Sequence, residues 1–538
     1  MTPDLIAGID LGTTNSAIAV MRDGTPQIIA IDGAPAMPSC VGLDADGTLL
    51  VGQPALNQLS AAPDRTITSI KRLMGTTQAT VLGEDSYSPE EISALILKKL
   101  KQGAEESLGQ PLHKAVITVP AYFDDNQRRA TQQAATLAGL EAVRIINEPT
   151  AAALAYNLQS NEDKTVLIYD FGGGTFDVSI VRCKDGIVEV CASHGDTQLG
   201  GDDLDEAFYH QILQDWEHKD QADLQDARVS RRLLLAAQAA KCALSDEAYY
   251  TMQEDYLTDQ HHLQSEVSRP QFQTVIQPLV NKTLTSIQLT LQQAGLAIGD
   301  IDQIVLVGGS TRIPLVQELI EQRIGKAPSR EVDPDLIVTL GAAIQGGIIA
   351  GDDIQSILVD ISAHTFSTSS LDANYDLICR PIIKRGTPLP VTRSEVFYTT
   401  VDDQEEIQIE AYQGESTVPG DNLLLGSFSI TDLQNVRANS PVIIRFSLDL
   451  NGVLKVNALD KASGQEKSSI IDTRQVTASA ELDEARQRIA NIFGDAEDTP
   501  QDAPGSTAPA PSAELIKAKE LKTRAEACLL YTSDAADD

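Results

Sequence analysis

The chain has 538 residues, 42% hydrophobic, 22% charged and 4% aromatic, with a formal net charge of −36. That balance excludes the basic face that nucleic-acid phosphates demand and disfavours an anionic membrane surface, while the apolar share is that of a folded chain with mainly aliphatic cores. About 150 residues per domain gives three or four domains. The six cysteines form no C-x-x-C pair and have no histidine at zinc spacing, so buried, reduced thiols are expected. No apolar run approaches 18 residues and no basic leader precedes the first strand, so the expected location is the cytoplasm.

In chain order, the apolar strand Leu5-Ile6-Ala7-Gly8-Ile9 runs into Asp10-Leu11-Gly12-Thr13-Thr14-Asn15-Ser16 and leaves through Ala17-Ile18-Ala19-Val20. Lys71 follows an apolar residue and, on residue physics alone, reads as part of a solvated face. Ala115 to Pro120 is a strand and Asp125 to Leu137 the helix after it. Ile145 to Thr150 ends a strand, bears Glu148, and leads into the helix Ala151 to Tyr156, with Pro149 suited to a first turn. The first pattern then returns: Val166 to Tyr169, the turn Asp170-Phe171-Gly172-Gly173-Gly174-Thr175-Phe176-Asp177, and the strand Val178 to Val181. Residues 203–245 and 271–296 have helical periodicity, and Ile304 to Val307 leads into Gly308-Gly309-Ser310-Thr311-Arg312-Ile313-Pro314.

After Gly351 the texture changes. From about 357 to 473 the apolar period is two, and Asn451-Gly452 is a hairpin turn, so this stretch is a separate antiparallel β domain. Ile357-Leu358-Val359 either begins that domain or is a linker that docks on the first. Residues 480–493 read as an amphipathic helix with Leu482, Ala485, Ile489, Ile492 and Phe493 on one side. Residues 494–513 read as linker, 513–528 as a short helix, and 529–538 fit no pattern.

Turns of bare amides followed by a threonine hydroxyl make concave donor clusters suited to phosphate oxygens. Two copies about 160 residues apart suggest duplicated lobes whose phosphate hairpins face each other. Asp10 and Asp170 cannot bind phosphate directly, but they can hold Mg²⁺ through water. Glu148 is placed to orient or deprotonate an attacking water. No G-x-x-x-x-G-K-[ST] occurs, so the design is not a P-loop.

These motifs resemble the DnaK-type (70-kDa) heat-shock chaperone family. Residues 9–16, 169–177 and 304–314 match its three signatures, and residues 71–75, 119–123, 147–156 and 199–203 match further motifs, so the likeness covers 5–350 densely and 351–474 more weakly. It implies a multidomain chain: an α/β actin/hexokinase-like ATPase domain (1–350), an interdomain linker (351–360), an antiparallel β-sandwich that grips extended hydrophobic peptides (361–474), and a truncated helical lid with a disordered tail (475–538). The implied activity is ATP hydrolysis coupled to peptide binding, with ATP/ADP and Mg²⁺ as cofactors and unfolded polypeptides and a J-domain co-chaperone as partners.

By position, the resemblance assigns Lys71, Glu148, Asp170, Thr175 and Asp177 to hydrolysis. It assigns Asp10, Gly12, Thr13, Thr14, Asn15, Gly172, Gly173 and Gly174 to the phosphates, and Lys241, Ser245, Gly308, Gly309, Ser310, Arg312 and Asp335 to adenosine. Thr368, Leu371, Phe397, Thr400, Ile407, Ile409 and Val453 would line the peptide cleft. Pro120, Arg128, Ile357, Leu358, Val359 and Asp360 would couple the two sites. The departures are Gln238 in place of a glutamate, a short segment between Asp203 and Lys241 that bears on the usual exchange factor, Ser362-Ala363-His364-Thr365-Phe366-Ser367 in place of Thr-Pro-Leu-Ser-Leu-Gly, and a reduced lid. They resemble a short, HscC-like branch. The alternative from another class is a sugar-type kinase on the same ATPase fold, in which residues 357–474 have no task.

Overall fold

The computed structural model describes residues 5–494 except 161–162, 217–225, 259–260, 330–331, 355, 432–436, 461–465 and 470–478. Met1–Phe493 is one compact unit, and the helix expected at 513–528 lies outside the described residues.

Two sheets built to one plan carry the chain from Ile6 to Val359. In the first, the strands Glu141–Asn147, Lys114–Val119 and Ile6–Leu11 run parallel, and Asn15–Arg22 and Thr25–Ile29 follow antiparallel. In the second, Gln303–Val307 runs parallel to Lys164–Phe171, with Phe176–Lys184 and Ile187–Asp196 antiparallel beyond it. Each sheet thus holds one of the two glycine hairpins beside a parallel strand. Their central strands are buried on both faces, as their near-continuous apolar runs require.

The helices Glu148–Ser160 and Ile337–Ala350 pack between the sheets, in a core that includes Val116, Ile168, Val181 and Ile344. Their axes come close because residue 341 is glycine; any side chain there would strike the main chain of Ala151. The helix Asp125–Leu137 is fixed by a reciprocal cap, in which Asp124 accepts from the Gln127 N–H and Gln127 from that of Asp124. The expected helical stretch 203–245 is two helices, Gly201–Asp215 and Ala227–Asp246.

The chain from 366 to 469 forms two four-stranded antiparallel sheets. Phe366, Ile382, Ile409 and Leu425 from one meet Val442, Ile444, Phe446 and Val456 from the other in a single core. Ile357–Val359 does not begin these sheets. It adds to the edge of the second sheet, parallel to Ile187–Glu189, and Leu358 packs into the core between the two sheets. The helix Ser479–Phe493 lays Ala485 and Ile489 on the helices Pro89–Leu108 and Asp125–Leu137. Arg488 closes on Glu91 at 2.7 Å, and the Lys98 ammonium stands 4.7 Å from the Phe493 ring centre. Among the described residues no helix is long and apolar enough to cross a membrane. Cys40, Cys183 and Cys379 are buried free thiols, but Cys191 is half-buried and Cys242 exposed, a correction to the expectation of uniformly buried cysteines; Cys242 lies within the helix Ala227–Asp246 beside Lys241.

Candidate functional site

The two glycine hairpins meet across a cleft of about 1300 Å³. Asp10, Gly12, Thr13, Thr14, Asn15, Lys71, Glu148, Asp170, Gly172, Gly173 and Thr175 line its inner part; Lys241, Ser245, Gly308, Gly309, Ser310, Arg312 and Asp335 line its outer part. Gly174 and Asp177 stand just behind the wall. The glycines are steric requirements: a side chain at Gly173 would collide with the Thr14 hydroxyl, and one at Gly174 with Thr13. Gly308 has φ +82° and abuts the main chain of Phe171 and Gly172, and the Ser310 hydroxyl donates to the Gly172 carbonyl at 2.9 Å.

Lys71 is 5% exposed, which overturns the solvated-face reading of its local sequence. Its ammonium donates to Glu148 Oε1 at 2.5 Å. Asp170 faces Glu148, Asp177 and Asp10 as well as Lys71, so several carboxylates share one ammonium. Burial pushes Asp170 and Asp177 well above the usual carboxylate range, and the neighbouring Glu148 carboxylate adds to that push. Burial raises Asp10 and Glu148 too, with Lys71 pulling each back. For Lys71, burial lowers the pKa, but Glu148, Asp10 and Asp170 outweigh it and the net shift is upward. Asp177 Oδ2 accepts from the Ala121 N–H at 2.8 Å, whereas Oδ1 is buried without a partner.

This chemistry fits a polyphosphate with a divalent cation. The excess of carboxylates calls for positive charge, and the glycine turns leave room for oxygens that bare amides can bind. Among the described residues no three His, Cys, Asp or Glu side chains could together hold an ion, so a cation here would lean on water and phosphate.

The outer part is built differently. Lys241 bridges Asp205 at 2.8 Å and the Gly201 carbonyl at 3.2 Å; burial raises Asp205 to about 6 despite that partner. Arg312 pairs with Asp335 at 2.6 Å across the cleft mouth. Sequence reasoning missed Thr118, whose hydroxyl holds Asp10 at 2.7 Å, and Asp202, which receives the Ser69 hydroxyl at 2.7 Å. The available signal for Thr118 was a lone polar residue inside the buried strand Lys114–Val119.

Of the residues expected to couple the two sites, Pro120, Arg128 and Asp360 gather at a second place, while Ile357–Val359 lie on the strand edge described above. Arg128 is buried and donates to the carbonyls of Phe123 and Ala121, to Asn147 Oδ1 at 2.7 Å and to the Asn451 carbonyl at 3.4 Å; Pro120 accepts from the Phe123 N–H. Asp360 accepts from Asn147 Nδ2 at 2.9 Å and from the Thr150 hydroxyl at 3.3 Å. Asp125 accepts from the Leu454 N–H, Arg129 donates to the Leu454 carbonyl, and Asn451 Oδ1 accepts from the Ile145 N–H.

The expected peptide-cleft residues are less gathered. Ile409 lies in the β core with Phe397 and Ile407 half-buried against it, Thr368 is buried with its hydroxyl on the Glu410 carbonyl, and Leu371 and Thr400 are exposed. Val453 lies apart from them. It sits in the tight turn closed by its N–H on Asp449 Oδ1, whose neighbours Asn451 and Leu454 are bonded to Ile145 and Asp125.

The family model described as Hsp70 protein matches residues 6–526. The chain is 42% identical over 495 residues to the chaperone protein DnaK of Halobacterium salinarum, in each of two strains, covering 90% of this chain and 78% of the relative.

Proposed function

The chain belongs to the Hsp70 family and is an ATP-dependent chaperone with ATPase activity; from that premise we propose that the cleft between the glycine hairpins hydrolyses ATP and that the strand Ile357–Val359 carries its state to peptide-gripping β sheets. The observation that supports this best is one sheet. The strands that hold Asp170 and Asp177 at their turn continue through Ile187–Asp196 to Ile357–Val359, so reacting carboxylates and linker share a single hydrogen-bonded layer.

In this reading Lys71 binds a γ-phosphate oxygen and, with Glu148, orients the attacking water. The water oxygen forms a bond to the γ-phosphorus, the bond from that phosphorus to the bridging oxygen breaks, and the unpartnered Oδ1 of Asp177 takes the proton. A carboxylate raised by burial suits that task. Thr13, Thr14 and Thr175, with the glycine amides, hold the phosphates. Lys241, Ser245, Arg312 and Asp335 hold the adenosine. Mg²⁺ bound through water by Asp10 and Asp170 would supply charge neutralisation.

The β sheets grip extended hydrophobic segments near Phe397, Ile407, Ile409, Thr368, Leu371 and Thr400. One buried leucine contributes about 1.5–3 kcal/mol, and driving release needs a coupling of only about 1–3 kcal/mol between the sites. A J-domain protein is the proposed co-chaperone. Transfer of phosphate to a sugar is not favoured, because it leaves the two β sheets and their contacts idle.

The test is the affinity of a fluorescent, leucine-rich extended peptide in ATP and in ADP. Weaker binding and faster release in ATP is expected; equal affinity in both nucleotides would overturn the coupling.

A further inference from the structure

A second cavity, of about 650 Å³, lies beside the cleft. It is enclosed by the helix Gln53–Gln58 and the turn Ile70–Leu73 on one side and by the helices Gly201–Asp215 and Ala227–Asp246 on the other. Thr13, Thr14, Asn15, Asp202 and Gln238 line both cavities, so the two share the wall that carries the first glycine hairpin. The reaction described above makes no use of this space.

Its two cations among the described residues are Arg72 and Arg231. Arg72 is tied to Asp203 at 2.5 Å, yet its buried Nε has no partner. It also stands against the second hairpin, since a side chain at Gly174 would crowd both Thr13 and the Arg72 stem. Arg231 is half-buried, and among the described residues it donates no hydrogen bond and closes no ion pair. Burial is the largest influence on Arg231 and pulls its pKa down. The groups that favour its charge are Cys40, a thiol kept neutral because burial raises it to about 12, and Asp202, which already receives the Ser69 hydroxyl. A guanidinium so placed is costly until an anion reaches it. Of the other carboxylates in the wall, Asp205 is held by Lys241 at 2.8 Å, and Asp64 and Glu206 are exposed, where water and salt screen them.

Hydrolysis supplies such an anion. Once the γ-phosphorus has parted from the bridging oxygen, inorganic phosphate lies at the inner end of the cleft. ADP, with its adenosine between Lys241 and Arg312, then stands between it and the outer mouth. We propose that the second cavity is the exit chamber for inorganic phosphate, entered past Arg72, with Arg231 receiving the anion while ADP is still bound. This rests on hydrolysis taking place in the cleft as given above. The two products then leave by different routes: phosphate between the helices Gln53–Gln58 and Ala227–Asp246, ADP through the mouth closed by Arg312 and Asp335.

The test uses the full chain with ADP and radiolabelled phosphate trapped in two ways, by one turnover of γ-labelled ATP and from solution, and follows the loss of label on dilution. R231Q removes the charge, R231K keeps it, and L235W fills the chamber without altering charge. R231Q should slow phosphate release about tenfold after either loading, the scale of one hydrogen bond to a charged group. L235W should slow it as well, and R231K should recover most of the rate. Phosphate affinity, ADP release and the rate of ADP formation should all stay as in the wild type, because a route serves entry and exit alike. Release at the wild-type rate in either R231Q or L235W would overturn the proposal. So would an equal slowing of ADP release, the mark of a structural defect, or a slowing confined to phosphate loaded from solution, the mark of a separate effector site. K71A separates this from the reading it rests on. An inactive K71A beside normal phosphate release in R231Q removes the exit chamber alone; wild-type hydrolysis in K71A removes both.

Discussion

The cleft and the contact between the ATPase half and the β sheets are both polar, yet they are bonded in opposite ways. In the cleft, side chains meet side chains: Lys71 on Glu148, Thr118 on Asp10, Lys241 on Asp205. At the contact, side chains mostly meet main chain: Arg129 and Asp125 on Leu454, Asn451 on Ile145, Arg385 on Ser193, His364 on Tyr122. Hydrolysis needs unmatched charge held rigidly in a low-dielectric shell, so that nothing reorganises during reaction. A switch needs many bonds of modest worth, about 0.5–1.5 kcal/mol each, that can all be exchanged for water.

Five substitutions test that contrast. Lys71→Ala or Asp177→Asn should have the largest effect, a loss of about 10²–10³ in single-turnover hydrolysis, the scale on which a preorganised group acts. A loss below tenfold would mean the cleft is no more preorganised than the contact. Next, Asp360→Ala leaves Asn147 and Thr150 without their shared acceptor and should erase the coupling of about 1–3 kcal/mol, read as equal peptide affinity in ATP and ADP with hydrolysis retained. Asn451→Ala removes one side-chain bond of the contact and should shift docking by only about 0.5–1.5 kcal/mol, visible as faster amide exchange in Ile357–Val359. The smallest change is expected from Arg488→Ala. Arg488 is half-exposed, and the buried Glu91 keeps the Ser88 N–H as a partner when the arginine is lost, so the pair is worth about 0.2–1 kcal/mol and proteolysis of the helix Ser479–Phe493 should quicken only slightly.

The same contrast explains how much was legible in the sequence. Asp10, the two glycine turns and Gly308-Gly309-Ser310 could be found because a phosphate cradle forces glycine and small polar residues into fixed order beside apolar strands. Lys71 could not be found from its own neighbourhood: a lysine after an isoleucine looks solvated until the carboxylate 77 positions away is folded against it. The β sheets were legible from period-two patterning and the Asn451-Gly452 turn. Which surface that turn meets was not, because its bonds run through main-chain groups that every residue has. The position of Val453 illustrates this: the turn around it is bonded to the helix Asp125–Leu137 through the main chain of Leu454. The choice for Ile357–Val359 stayed open for the same reason: three apolar residues pair equally well with either neighbour.

The docked strand Ile357–Val359 also acts as a seal. While it lies along Ile187–Glu189, it covers the first three residues of the edge strand of the second ATPase sheet. When it leaves, a row of unpaired N–H and C=O groups faces water beside a loose apolar tripeptide of matching register, an arrangement that invites pairing between chains. Two neighbouring molecules that release their linkers together can each accept the other's. In the proposed cycle each release of the linker would open a brief window for domain-swapped dimers, and crowding many copies of this chain under conditions that favour undocking would select for them.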